Sequence, residues 1–161
     1  MITETFLGEF IYGATDGIIT TFSIVAGATG GSLLHNVIII LGISNVLSDG
    51  YSMGVSRYLS AMAEIEQGLL TKKDALTSGI ATFLSFVVIG ILPILPFLFY
   101  KGIVAKKISL IIATLLFAMI GIIKGYILNQ SMLINGSRTL FIGLSAALIS
   151  YSVGKFITNI Y

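Results

Sequence analysis

Asp16 and Asp49 each precede a glycine inside a long apolar stretch, and Asp49 stands one helical turn before Met53. Carboxylates deep in hydrocarbon are costly unless they meet a cation, a proton or a basic side chain. A cation pathway is therefore the first expectation. A carboxylate is a hard donor that suits sodium, magnesium or calcium. The thioether of Met53 is soft and tilts the set toward Fe²⁺ or Mn²⁺. Methionine in an apolar helix is also ordinary packing material, so the tilt is modest. Two neighbouring carboxylates in low dielectric do not both ionise cheaply, so an empty pair holds a proton. An arriving divalent ion displaces that proton, because ligation needs deprotonated oxygens. Such an exchange is the core of a cation/proton antiporter. The competing reading is a pair of protonated aspartates that only cap polar neighbours.

Other polar residues join them in a pattern. Asn45, Asp49, Met53 and Arg57 recur every four residues, with Ser48, Ser52 and Ser56 alongside. Residues at that spacing stack on one helix face. A polar stripe in an apolar helix faces protein or water rather than lipid. Asp16 and Thr20 make a similar pair, and Glu9 precedes them. Gly30, Gly31 and Ser32 predict a turn that folds the two segments into an antiparallel hairpin centred near Leu33. Asp16 and Asp49 are nearly equidistant from that point and so lie at similar depth. The same counting sets Thr21 level with Asn45 and Glu9 level with Arg57. Glu9 with Arg57 reads equally as a gate pair or a structural salt bridge. Glu64, Glu66 and Asp74 would gather cations at a cytoplasmic mouth, or form an ordinary solvated link.

The elements that must position these groups are membrane helices. Of 161 residues, 56% are hydrophobic and 10% charged, against about a quarter charged in a soluble domain. Mean hydropathy is +1.03. The expected fold is all-α, a single transmembrane domain over 1–161, with five spans at about 6–29, 36–61, 75–100, 108–128 and 139–157. Each approaches the roughly 20 residues that cross hydrocarbon. Period-two alternation, the mark of an outer-membrane barrel, is lacking. Pro93 and Pro96 kink or interrupt the third span. Gly13 with Gly17, Gly27 with Gly31, Gly50 with Gly54 and Gly121 with Gly125 are each four apart, a spacing that lets helix backbones touch. An odd number of spans does not divide into equal inverted halves, so a symmetric pathway points to a homodimer.

Several functions are excluded or disfavoured. No cysteine is present, so thiolate metal sites, iron–sulfur ligation and disulfides are excluded. A net charge of +2 with no basic run does not suit nucleic acid. His35 is the only histidine and is expected in a turn with a structural role. No nucleophile-and-base set, phosphate loop or HExxH motif suggests an enzyme, and no cofactor is expected. The first residues lack a positive n-region, so the first helix is expected to be retained rather than cleaved. With the N-terminus inside, Arg57, Lys72, Lys73 and Arg138 lie in the cytoplasm and Lys101, Lys106, Lys107 and Lys155 outside; the bias is weak. Lys124 is expected to snorkel to the interface.

The stretches YGATDGIITTFSIVAG (Tyr12–Gly27) and LGISNVLSDGYSMGVSRYLSA (Leu41–Ala61), with ILPILPFLF (Ile91–Phe99) and IGIIKG (Ile120–Gly125), resemble the vacuolar iron transporter family, which includes iron and manganese carriers. The resemblance implies a five-helix homodimer with an inside N-terminus, moving Fe²⁺ and often Mn²⁺ from the cytosol in exchange for protons. It implies that Asp16 is the first-helix pore carboxylate and Met53 the second-helix pore methionine. Asn45 stands where plant and protist-type members carry a glutamate, and Asp49 would compensate one turn away. Those members also insert a cytoplasmic region of glutamates and methionines, for which the link Glu64–Asp74 leaves no room.

The expected metal set is thus Asp16, Asp49 and Met53, with Asn45 and Thr20 as weaker oxygen donors. Glu9, Arg57, Glu64 and Glu66 would form a cytoplasmic entrance. The expected setting is a prokaryotic plasma membrane, or a vacuolar membrane in a eukaryote, with lipid, metal ions, protons and a second copy as partners. The alternatives are a non-transporting membrane scaffold or subunit, and a passive divalent-cation channel.

Overall fold

The computed structural model describes residues 2–66 and 72–161. Every regular element among them is helical: α1 (Ile2–Gly30), α2 (His35–Glu66), α3 (Lys72–Gly90), α4 (Leu95–Phe99), α5 (Gly102–Ile127) and α6 (Met132–Ile160). Four helices, α1, α2, α5 and α6, are long and apolar enough to cross a membrane, whereas the apolar part of α3, Asp74–Gly90, is shorter. The expected link Glu64–Asp74 lies partly outside the described residues.

Local chemistry explains the ends. Ser32 closes α1 with a left-handed φ of 53°. Leu33 N–H donates to the Ala28 carbonyl at 2.9 Å and Ser32 N–H to that of Thr29 at 3.2 Å. This paired closure is a Schellman motif. Asn129, with φ 51°, repeats it after α5, and Gln130 N–H donates to the Gly125 carbonyl at 2.8 Å. Helices overrun the expected spans: α2 continues to Glu66, α5 begins at Gly102, and α6 covers Met132–Ile160. Hydropathy marks only the part of a helix inside hydrocarbon, and backbone hydrogen bonding carries it further.

The third expected span, 75–100, is interrupted as its prolines imply. α3 stops at Gly90, a turn covers Ile91–Ile94, and α4 follows with Pro96 in its first turn, where proline costs no hydrogen bond. The break frees carbonyls that side chains from other helices meet. Ser109 Oγ donates to the Pro93 carbonyl at 2.6 Å. His35 Nε2 donates to the Phe97 carbonyl at 2.7 Å, and its ring packs on Phe97. His35 is thus structural, although it opens α2 instead of lying in the turn. Backbone groups at membrane depth need such partners.

α1 is the central helix. It packs most extensively on α3 and α6, while α2 lies on α3 and α5 on α6. All four glycine pairs fall at these contacts. A methyl group on Gly17 would come within 2.5 Å of the Phe86 carbonyl oxygen of α3. Gly154 of α6 lies directly against the Gly27 backbone. Ile18, Phe22 and Phe117 form the core between α1 and α5, with the two phenylalanine rings edge to face at 6.3 Å.

Candidate functional site

The two Asp–Gly doublets share one packing partner. Gly17 of α1 and Gly50 of α2 both lie against Phe86 of α3. Neighbouring residues on a helix diverge by about 100°. Seating the glycines on α3 therefore turns Asp16 and Asp49 away from it. Both carboxylates are half-buried and lie within electrostatic reach of each other, as their common depth implied.

Beside them an open groove of about 660 Å³ runs between α1, α2 and α6, with Thr20, Ser23, Asn45, Asp49 and Ser150 as its polar lining. Asn45 Oδ1 is buried with no hydrogen-bond partner among the described residues. An acceptor left so is costly until a donor or a cation meets it. Asp16 and Met53 are half-buried and outside this lining, each one helical turn nearer the N-terminal end of the bundle than Thr20 and Asp49. Thr20, rather than Thr21, shares the groove with Asn45. Thr21 is fully buried, and its Oγ1 lies on the side of Gly90 in α3. Counting residues gave the depth of Thr21 and not its direction.

Sequence reasoning missed two contributions. Ser150 reaches the groove from α6, and nothing in the sequence connects α6 to α1 at that level. Thr82 was legible in principle: Ser78, Thr82 and Ser85 recur at helical spacing in apolar α3 and are all buried. Thr82 Oγ1 lies 3.2 Å from Glu9 Oε2 and also donates to the Ser78 carbonyl.

Glu9 belongs to an ion-pair network at the N-terminal end of the bundle. Arg57 Nε donates to Glu9 Oε1 at 2.5 Å, and Arg57 Nη1 to Glu64 Oε1 at 2.8 Å. Glu9 and Arg57 thus tie α1 to α2, Glu64 braces Arg57 from within α2, and Glu66 is exposed at the end of α2. The Arg57 and Glu9 side chains are only 18% and 12% exposed. Arg57→Ala would strand a shielded carboxylate and is expected to cost about 3 kcal/mol. Glu64→Ala, at a more exposed site, should cost less than about 1 kcal/mol. Chemical-denaturation midpoints followed by circular dichroism check this; equal losses would contradict a bridge centred on Glu9.

Among the described residues, no group of three or more histidines, aspartates or glutamates is placed to hold a metal. One copy of the chain offers a carboxylate pair with weaker oxygens around it.

The fold and the groove define an integral membrane protein of packed helices, with acidic and amide groups lining a groove between three of them. A profile described as the VIT family matches residues 7–68 and 61–155. The chain belongs to the VIT family. Over 67 residues it is 42% identical to a vacuolar iron transporter of Plasmodium falciparum, covering 42% of this chain and 24% of that protein. A vacuolar iron transporter of Centaurea cyanus is 22% identical, with 91% of this chain and 86% of that protein covered. Vacuolar iron transporter homolog 2 of Oryza sativa is 23% identical, with 100% and 95% covered. The chain matches only 20% to 24% of the Plasmodium and Toxoplasma relatives' lengths. The Centaurea alignment runs over 213 positions against a chain of 161, so that relative carries insertions this chain lacks. Between Glu66 and Lys72 there is no room for an inserted domain.

Proposed function

We propose that this protein carries a divalent transition metal, Fe²⁺ or Mn²⁺, out of the cytosol in exchange for protons, working as a homodimer with five spans per copy. The observation that carries this reading is the α1–α2–α6 groove, which Asp49 and Asn45 both line, with Asp16 within electrostatic reach of Asp49. In this reading Asp16 and Asp49 bind the metal and carry the protons. Met53 is the soft ligand, and Asn45 and Thr20 are weaker oxygen donors. The names of the relatives, vacuolar iron transporters, support metal as the cargo.

A second copy across the groove would double the oxygen donors and approach the roughly six that an octahedral ion takes. Ser48, Ser52 and Ser56 of α2 are exposed in a single copy, which also suits a protein or water neighbour there. The fifth span would be α3 continued through the turn into α4. Short connections suit a prokaryotic plasma membrane, with the N-terminus inside and Glu9, Arg57, Glu64 and Glu66 at the cytoplasmic mouth.

The test is Fe²⁺ uptake into proteoliposomes with an internal pH dye. Metal entry with opposed proton flux is the expected result. Entry without proton flux would mean a channel, and no entry by folded protein would leave the scaffold reading.

Asp49 carries the only carboxylate on the groove-facing part of α2, since Asn45 is neutral. Asp49→Asn should therefore remove stabilisation by Mn²⁺ in detergent. In the unaltered protein that stabilisation reaches about 2.7 kcal/mol at 100 times the dissociation constant. A melting shift that survives Asp49→Asn would refute Asp49 as a ligand.

A further inference from the structure

A second groove, of about 360 Å³, lies between α1, α5 and α6 on the opposite side of α1 from α3. Its walls are apolar, with Phe22 and Val25 from α1, Leu110 from α5 and Leu148 from α6. Its mouth is not: Lys106 and Lys107 of α5 and Tyr151 of α6 border it, together with Thr29. Thr29 Oγ1 is buried without a hydrogen-bond partner among the described residues.

The lysines have no counter-charge in their own part of the chain. No acidic residue follows Asp74, yet Lys101, Lys106, Lys107, Lys124, Arg138 and Lys155 all do. No acidic side chain occupies the first turn of α5, and among the described residues neither Lys106 nor Lys107 makes an ion pair. Lys106 is nonetheless half-buried. A shielded cation near a helix N-terminus favours an anion from outside. The end of α1 and the start of α5 meet here, so the charge sits at one face of the bilayer and the apolar groove runs inward from it.

We propose that this groove seats an anionic phospholipid, with an acyl chain along α1, α5 and α6 and the phosphate at Lys106 and Lys107. Its shape and charge match that amphiphile end for end. Apolar walls take a chain, lysines attract the headgroup, and Tyr151 adds a polar group at the border. A second copy is a poorer occupant. Copies related by an axis along the membrane normal meet at equal depth, and would bring lysines against lysines.

The test is native mass spectrometry of the full chain with dioleoyl phosphatidylglycerol or dioleoyl phosphatidylcholine. The anionic lipid should bind about 25-fold tighter, since each of the two lysines near a headgroup is worth about fivefold. Lys106→Gln with Lys107→Gln should bring the two lipids within about twofold, whereas Lys124→Gln at the far end of α5 should change nothing. Ala26→Leu narrows the groove without altering charge and should weaken the anionic lipid about fourfold, the loss of one buried methylene. Equal binding of the two lipids by the unaltered protein would overturn the proposal. So would full competition by inorganic phosphate, which would mean a site for a free anion, or cross-links that place a second copy over Leu148.

Discussion

Asp16→Ala is expected to abolish Fe²⁺ uptake into proteoliposomes while leaving the protein as stable as before. Partners that merely support metal ligands are worth about 10–100-fold in affinity or activity, so loss of a ligand should exceed about 100-fold. Stability should hold for a separate reason. Asp16 is half-buried and forms no salt bridge among the described residues, so its removal strands no partner charge. An aspartate that served only to hold helices together would behave in the opposite way, destabilising the fold when truncated. Uptake rates and denaturation midpoints measured on one preparation separate the two. Retained uptake would remove Asp16 from the pathway.

Gly154→Val is expected to damage the fold as much as Arg57→Ala does. The glycine lies against the backbone of Gly27 and Gly31, so no rotamer shift relieves an added side chain. α6 would have to move off α1, at about 3 kcal/mol for overpacking of this kind. Membrane helices are held largely by such close packing, because lipid supplies no hydrophobic drive between them. Gly27 and Gly154 also line the candidate site, so uptake should fall with stability. Gly8→Ala is the control: a methyl there meets nothing within 4 Å, and alanine should gain up to about 1 kcal/mol in a helix. A Gly154→Val protein with an unaltered denaturation midpoint would contradict the packing account.

Depth is legible in the amino-acid order. Once Gly30, Gly31 and Ser32 define a tight hairpin, residues equidistant from it share a level, because each helical residue rises by a constant amount of about 1.5 Å. Glu9 and Arg57 meet as that counting implies, and Asp16 with Asp49 do so within electrostatic reach. The break at Pro93 and the close glycine contacts are equally legible, since each follows from the chemistry of one or two residues. Direction is not. Thr20 rather than Thr21 joins Asn45, because the seating of Gly17 on Phe86 sets the rotation of α1.

By itself the sequence determined an all-helical membrane protein, the level of each polar residue within it, and a family membership carried by the motifs around Asp16 and Asp49. Only the tertiary structure decided which helices flank those levels. It brought Ser150 of α6 into the groove, placed Thr82 beside Glu9, and left Lys106 and Lys107 without an acidic neighbour at the mouth of a second groove. The reason lies in what each quantity depends on. Rise along a helix is a property of the local backbone. Rotation about its axis, and the choice of neighbours, depend on contacts between residues as far apart in the chain as Gly27 and Gly154.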